Sequence, residues 1–318
     1  MNPAVASPRM ASLASRLLVF RGDKAQGKPE NIRNVNGWCP FCHPEQLTDI
    51  FRCEGDLIWL MNKYRTIEDT VQTIIVESAD HVGDPSNYRA DEMRRIMRFS
   101  VECWHEMRRH GTYDDVLMFK NFGPLSGGSL RHPHLQIVGL KRGAGIPRPI
   151  ETLLSGVEVW SSSRARALVA AHPLVGPDEV TLVAQDVHDP ASLDELADLL
   201  RAAVTYVLST YRGGRCGSYN LFFYEDEAAW RDSVTCDAVQ NGDQQRTTAG
   251  SGANIASIDM GEPAGTTAAP ARIVCRVVPR WPVSPYQIGY GITQVSSAAE
   301  LSRIAAELRP YILHAMEE

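Results

Sequence analysis

The sequence predicts an α+β fold in which antiparallel sheets carry helices packed on them, and in which the second half of the chain repeats the first in a degenerate form. Three observations predict it. Several runs are rich in β-branched and apolar residues, amphipathic stretches separate them, and one order of strand, glycine-rich or polar loop, and strand occurs in both halves. The chain has 318 residues, 44% hydrophobic and 22% charged, enough to bury one large core or two medium ones and too apolar for disorder throughout.

Residues 1–33 contain the turn signals Arg21-Gly22-Asp23-Lys24 and Gly27-Lys28-Pro29, and read as a flexible arm without chemistry. From Asp56, DLIWLMNKY and then TVQTIIVES read as two strands, and Ala90 to His110 reads as an amphipathic helix. VLMFKNF (Val116 to Phe122) and HPHLQIVGL (His132 to Leu140) are two more strands, joined by the loop GPLSGGSLR. In the second half Ser192 to Tyr211 looks helical, YNLFFY (Tyr219 to Tyr224) mirrors VLMFKNF, and ARIVCRVVPR (Ala271 to Arg280) mirrors HPHLQIVGL. Residues 241–270 are small and polar, a composition that cannot offset the entropy of ordering, and are expected to form a mobile insertion. Ala298 to Met316 reads as a last helix. The expected organisation is an arm over 1–33, a metal-binding catalytic repeat over 34–145 and a degenerate repeat over 146–318.

Composition narrows the function classes. No apolar run approaches the roughly 20 residues that span a bilayer, and the opening MNPAVASPRMASLASRLLVF lacks a long uninterrupted apolar region, so a soluble, cytoplasmic protein is expected. With 38 acidic and 32 basic residues the net charge is −6, a balance that argues against nucleic acid as a partner. The stretch Cys39 to Leu60 offers only Arg52 as a base, which argues against a nucleic-acid-binding zinc module. Seven cysteines form an odd, scattered set, and only Cys39 and Cys42 lie close together, in a C-x-x-C spacing that suits a metal better than a disulfide.

That pair needs two further ligands to close a tetrahedral site, from among His43, His81, His105, His110 and His132. His43 would have to fold back on its neighbour Cys42, and His105 and His110 fall on different faces of one helix. His81 and His132 are better placed, although an ordinary loop histidine is an equal reading of His81. If a strand begins at His132, period two puts His132, His134 and Gln136 on one face, where they could hold a metal, a phosphoryl group or both. The preceding Ser126-Gly127-Gly128-Ser129 offers backbone N–H groups and hydroxyls to an anion. A polar sheet face meeting water is the plainer alternative.

The set CPFC, Asn62-Lys63-Tyr64, ESADH and NFGPLSGGSLRHPHLQ resembles the galactose-1-phosphate uridylyltransferase branch of the histidine-triad superfamily, with specific motifs over Cys39 to Leu140. In the second half VVPRWPVSPYQIGYGI is similar to a C-terminal segment of the same group. The resemblance implies tandem histidine-triad repeats, one structural zinc on Cys39, Cys42, His81 and His132, and His134 as the nucleophile toward an α-phosphate. It implies that Gln136 and Ser129 hold the transferred phosphoryl group with Gly127 and Gly128, and that Asn121 supports the phosphate loop. Asn62 and Tyr64 would line the base and ribose, and Gly289 with Tyr290 the sugar end. A homodimer acting on a nucleotide or nucleotide sugar and a sugar 1-phosphate is the implied assembly and substrate class.

Two departures stand out. Arg65 replaces a small residue or proline of that branch, and Gly291 follows Tyr290 where the uridylyltransferases carry a glutamate. The second half lacks H-x-H, so one catalytic centre is expected. The leading expectation is a nucleotidylyltransferase with a ping-pong path through His134. A nucleotide-sugar phosphorylase or dinucleoside polyphosphate hydrolase would use the same step with another acceptor, and a silent zinc-stabilised binding protein is the reading from a different class.

Overall fold

Alternating burial is the rule that builds this molecule. Along β4 (Asp115–Phe122), Val116, Met118 and Lys120 are buried in turn while their neighbours are partly exposed, the signature of a strand with two different faces. The computed structural model describes residues 18–34, 37–110, 113–141, 153–225, 271–281 and 296–318. In the first half β1 (Ile50–Glu54), β2 (Leu57–Met61) and β3 (Thr70–Val76) precede α1 (Ala90–His110), which is followed by β4 and β5 (His134–Leu140). In the second, β6 (Gly156–Ser161), β7 (Ala165–Ala170) and β8 (Val180–Ala184) precede α2 (Pro190–Ser209), then β9 (Tyr219–Glu225) and β10 (Ile273–Pro279), and α3 (Ala298–Met316) closes the chain.

These strands form one ten-stranded antiparallel sheet, in the order β1-β2-β3-β5-β4-β9-β10-β8-β7-β6. Each half therefore contributes five strands in the same internal order, and the halves meet where β4 pairs with β9 from Met118↔Phe223 to Phe122↔Tyr219. One face of the sheet carries the helices. Met97 and Trp104 of α1, Leu196 and Val204 of α2 and Ile304 and Leu308 of α3 share a continuous core with Met118, Ile137, Leu182 and Ile273 from the strands. Asp189 caps α2 by accepting from Ala191 N at 3.0 Å with Pro190 in the first turn, and Ser297 caps α3 by accepting from Glu300 N at 3.2 Å.

Several sequence expectations differ from this outcome. Strands β1, β6, β7 and β8 are additional to those the sequence predicts. The strand predicted from His132 starts at His134 instead, because Pro133 has no N–H for the ladder; His132 is free to turn aside, so the shared face holds His134 and Gln136 only. Residues 18–34 are tied down, with Arg21 N donating to Thr66 O at 2.7 Å, Glu68 N to Val19 O at 2.9 Å and Asn31 N to Ser129 O at 3.0 Å. The expected insertion at 241–270 and the pair Gly289 and Tyr290 lie outside the described residues. Among the described residues no helix is long and apolar enough to cross a membrane.

Candidate active site and metal centre

The sheet face opposite the helices carries the site. Gln136 pairs with Phe119 in the β5–β4 register, so His134, Gln136, Phe119 and Asn121 share that face. Under the N-terminal end of β5, Phe41 packs with Cys39, Leu60, Ile74, Val76 and Leu130 in a small second core. Its ring lies 5.7 Å from that of His132 and 5.5 Å from that of His134, so the residue inside the C-x-x-C spacing wedges both imidazoles.

Cys39, Cys42, His81 and His132 come together with their ligand atoms all within 4.8 Å of one another. Cys42 Sγ lies 3.1 Å from His81 Nδ1 and 3.5 Å from His132 Nδ1. Bonds of roughly 2.0–2.3 Å in a tetrahedron would put such donors about 3.5 Å apart, so the set fits a small divalent cation of the zinc kind. The tautomer fits as well. His132 Nε2–H donates to the Ser78 carbonyl at 2.8 Å, which fixes the ring proton on Nε2 and leaves Nδ1 to face the sulfurs. Of the other candidates, His43 stacks on Trp38 and faces Glu45, and His105 pairs with Glu225.

His134 stands beside this centre and is 9% exposed. Its Nδ1 donates to the His132 carbonyl at 2.8 Å, which leaves Nε2 as the basic nitrogen. Burial pushes its pKa down to about 4; the Lys120 and Lys28 ammonium groups act in the same direction, and the hydrogen bond to His132 opposes them. His134 is therefore neutral at physiological pH. Beneath it on the helix face Lys120 Nζ contacts Glu77 Oε1 at 2.5 Å, a fully enclosed pair to which Tyr88 OH adds a hydrogen bond at 3.3 Å.

The loop between β4 and β5 reverses through Gly123 and Gly127, at φ +82° and +87°. A Cβ on Gly123 would sit 2.2 Å from the Gly217 carbonyl, whereas one on Gly127 would meet nothing, so Gly127 borders open space. Ser126 Oγ donates to Gly123 O at 2.7 Å and accepts from Gly128 N at 3.2 Å. Ser129 lends its carbonyl to Asn31 and Ile32. Buried Asn62 accepts from Tyr64 N at 2.8 Å, turning the chain after β2.

Sequence reasoning missed Lys28, Asn31 and Asn220. Lys28 belongs to a segment read as an arm, yet its charge is felt at His134. Asn31 holds Arg131 N at 2.7 Å, just before the H-x-H run. Asn220 Nδ2 reaches across from β9 to Asn121 Oδ1 at 2.7 Å.

Comparison with known proteins adds to this geometry. A model described as "Domain of unknown function (DUF4931) N-terminal domain" matches residues 20–142, and the corresponding C-terminal domain model matches residues 150–241. A solved DUF4931 family protein of Bacillus cereus is 30% identical, with a TM-score of 0.58 over 83% of this chain and 99% of that one. A structure titled uridylyltransferase is 15% identical, with a TM-score of 0.56 over 88% of this chain and 93% of that one. An ADP-glucose phosphorylase of Arabidopsis thaliana is 14% identical, with a TM-score of 0.57 over 93% and 96% of the two chains. These two distant structures share the fold. No curated protein sequence matches the chain.

Proposed function

The chain belongs to the DUF4931 family, and from that premise we propose that it is a nucleotidylyltransferase moving a nucleoside monophosphate onto a sugar 1-phosphate through a nucleotidyl-histidine at His134. The observation that carries the reading is the His134 Nδ1 bond to the His132 carbonyl, which leaves Nε2 as the basic nitrogen on the sheet face shared with Gln136 and Asn121. In the first half-reaction Nε2 attacks the α-phosphorus of a nucleotide sugar. A nitrogen–phosphorus bond forms, the bond to the bridging oxygen breaks, and the first sugar 1-phosphate leaves with that electron pair. The acceptor's phosphate oxygen then attacks the same phosphorus from solution, and His134 departs with its electrons.

Charge on the non-bridging oxygens needs fixed donors, a role assigned here to Gln136, Ser129 and the Gly127 and Gly128 backbone. Lys28 supplies a nearby positive charge, Asn62 and Tyr64 shape the base and ribose end, and Tyr290 is assigned to the sugar end. Zinc on Cys39, Cys42, His81 and His132 would be closed to substrate and would serve as a structural cross-link. His132 then presents its carbonyl to His134 in one orientation, and Phe41 keeps the ring from swinging. The shared strand order of the halves supports two histidine-triad repeats over 34–145 and 146–318, the second without its own H-x-H. We assign the protein to the cytoplasm as a homodimer.

The likeness to an ADP-glucose phosphorylase favours a second reading, in which inorganic phosphate is the acceptor. One experiment separates the outcomes. The protein is incubated with a panel of nucleotide sugars and nucleoside triphosphates, its intact mass is measured, and the loaded protein is then offered phosphate or sugar 1-phosphates. A mass gain of one nucleotidyl group is expected, discharged by the true acceptor. No gain with any member of the panel would sink the proposal.

A further inference from the structure

The second half lacks a histidine pair of its own, yet it reaches the glycine-rich loop of the first half at several points. Ser218 Oγ accepts from Leu125 N at 3.1 Å, and Arg280 Nε donates to Leu125 O at 3.3 Å. Asn220 makes the contact nearest to the proposed chemistry. It lies directly across from Asn121 in the β9–β4 pair, so both amides project on the face that carries His134 and Gln136. Asn220 is 3% exposed, and its Nδ2 donates to Asn121 Oδ1 at 2.7 Å and to the Ser126 carbonyl at 3.0 Å.

Both Nδ2 protons of Asn220 are thereby used, and Asn121 must turn its oxygen toward β9 to receive one of them. The donor end of Asn121 is left over. It makes no hydrogen bond among the described residues, and the side chain abuts the loop so closely that a Cβ on Gly128 would lie 3.5 Å from Asn121 Cβ. An amide has a donor end and an acceptor end, and only the donor suits an anion. Which end faces the loop is decided from the second half.

Resting on the nucleotidyl-transfer reading of His134, we propose that Asn220 is a positioning residue, which orients the Asn121 amide so that its N–H₂ faces the transferred phosphoryl group. The loop would thus be completed by the half of the molecule that has no catalytic motif, with the amide-to-amide hydrogen bond setting the Asn121 donor and the Leu125 and Ser126 contacts holding the loop in place.

Asn220→Asp tests this with almost no change of shape. A carboxylate there accepts only, so Asn121 must reverse its amide to donate to it and would present oxygen to the phosphoryl group. Binding of AMP and UMP is measured by calorimetry, histidyl adduct formation by intact mass, and metal content and melting temperature are followed alongside. For whichever nucleotide the wild type binds, affinity and adduct rate are expected to fall roughly tenfold to a hundredfold, the worth of one hydrogen bond to a charged group, with metal content unchanged. In an Asn121→Ala background the same substitution should cost clearly less than in the wild type, keeping only the part that comes from setting a carboxylate oxygen against the Ser126 carbonyl. Asn220→Ala, which frees Asn121 without opposing it, supplies the same comparison if the aspartate variant does not fold. Wild-type affinity and rate in the Asn220 variants, or an equal penalty in both backgrounds, would overturn the inference and leave nucleotidyl transfer standing. Absence of binding and of any adduct in the wild-type protein would overturn both.

Discussion

The imidazoles of His132 and His134 are two residues apart and are given different work by one hydrogen bond each. His132 donates its Nε2–H to the Ser78 carbonyl and turns Nδ1 to the sulfurs, whereas His134 donates its Nδ1–H to the His132 carbonyl and keeps Nε2 basic. Substitutions should therefore separate the roles. His134→Gly is expected to abolish the nucleotidyl adduct while the protein stays folded and metal-loaded, with a melting temperature lowered by the lost packing on Phe41; wild-type turnover in that variant would remove His134 from the chemistry. Gln136→Ala should still bind nucleotide but transfer roughly a hundredfold more slowly, as expected for one lost transition-state donor, and single-turnover kinetics would show it. Cys39→Ser should lose metal by elemental analysis and stability together, because metal binding and folding are coupled. These residues were legible because H-x-H and C-x-x-C fix chemistry within a few positions of chain. Lys28 and Asn220 were not, since their roles depend on long-range packing that brings residue 28 near residue 134 and residue 220 against residue 121.

Elements were legible in proportion to how strongly one face is apolar. Helix α1, with an amphipathic pattern, was read with the limits it has, and so was α3. Strand β7, ARALVA, has alanine at half of its positions, β8, VTLVA, is a five-residue run buried throughout and so without alternation, and β1 has both faces largely exposed. Such segments become strands because the sheet beside them offers partners. Between elements, Glu225 at the end of β9 joins α1 to the sheet through His105 Nε2 at 3.1 Å and through Arg108. Burial alone would raise its pKa, but the hydrogen bond from His105 and the charge of Arg108 hold it below the usual carboxylate value of 4.5. A depressed carboxylate contributes stability that is complete above its unfolded pKa and is lost as pH falls through the folded one. Glu225→Gln should accordingly cost about 3 kcal/mol near pH 7, since the buried carboxylate's charge contacts with His105 and Arg108 are both given up. Urea titrations at a series of pH values should show the gap between wild type and variant closing below about pH 4.5; a gap constant down to pH 3 would mean that the carboxylate's charge is not what matters.

At the scale of the whole molecule the question is whether two halves with the same strand order behave as two folding units. The sheet does not stop between them, because β4 and β9 pair over five residues and each would otherwise present an unprotected edge. Nor does the core, since side chains of α1, α2 and α3 belong to one cluster. Polar contacts also join the two halves. Arg94 forks onto Asp198, which is 3% exposed, with closest contact 2.6 Å, and the wholly buried Tyr219 donates to Asp84 at 2.5 Å. Separating the halves would give up the Arg94–Asp198 ion pair and the Tyr219–Asp84 hydrogen bond and uncover the apolar faces of the long helices. Chains of this length often unfold in stages, so a single transition is a demanding expectation. Far-UV circular dichroism reports the whole sheet, and metal release, followed with a chromogenic chelator, reports the first half. Both are expected to share one urea midpoint. A metal-bound intermediate that has already lost about half of the sheet signal would show that the second half unfolds alone, and the β4–β9 seam would then be a docking surface between two domains.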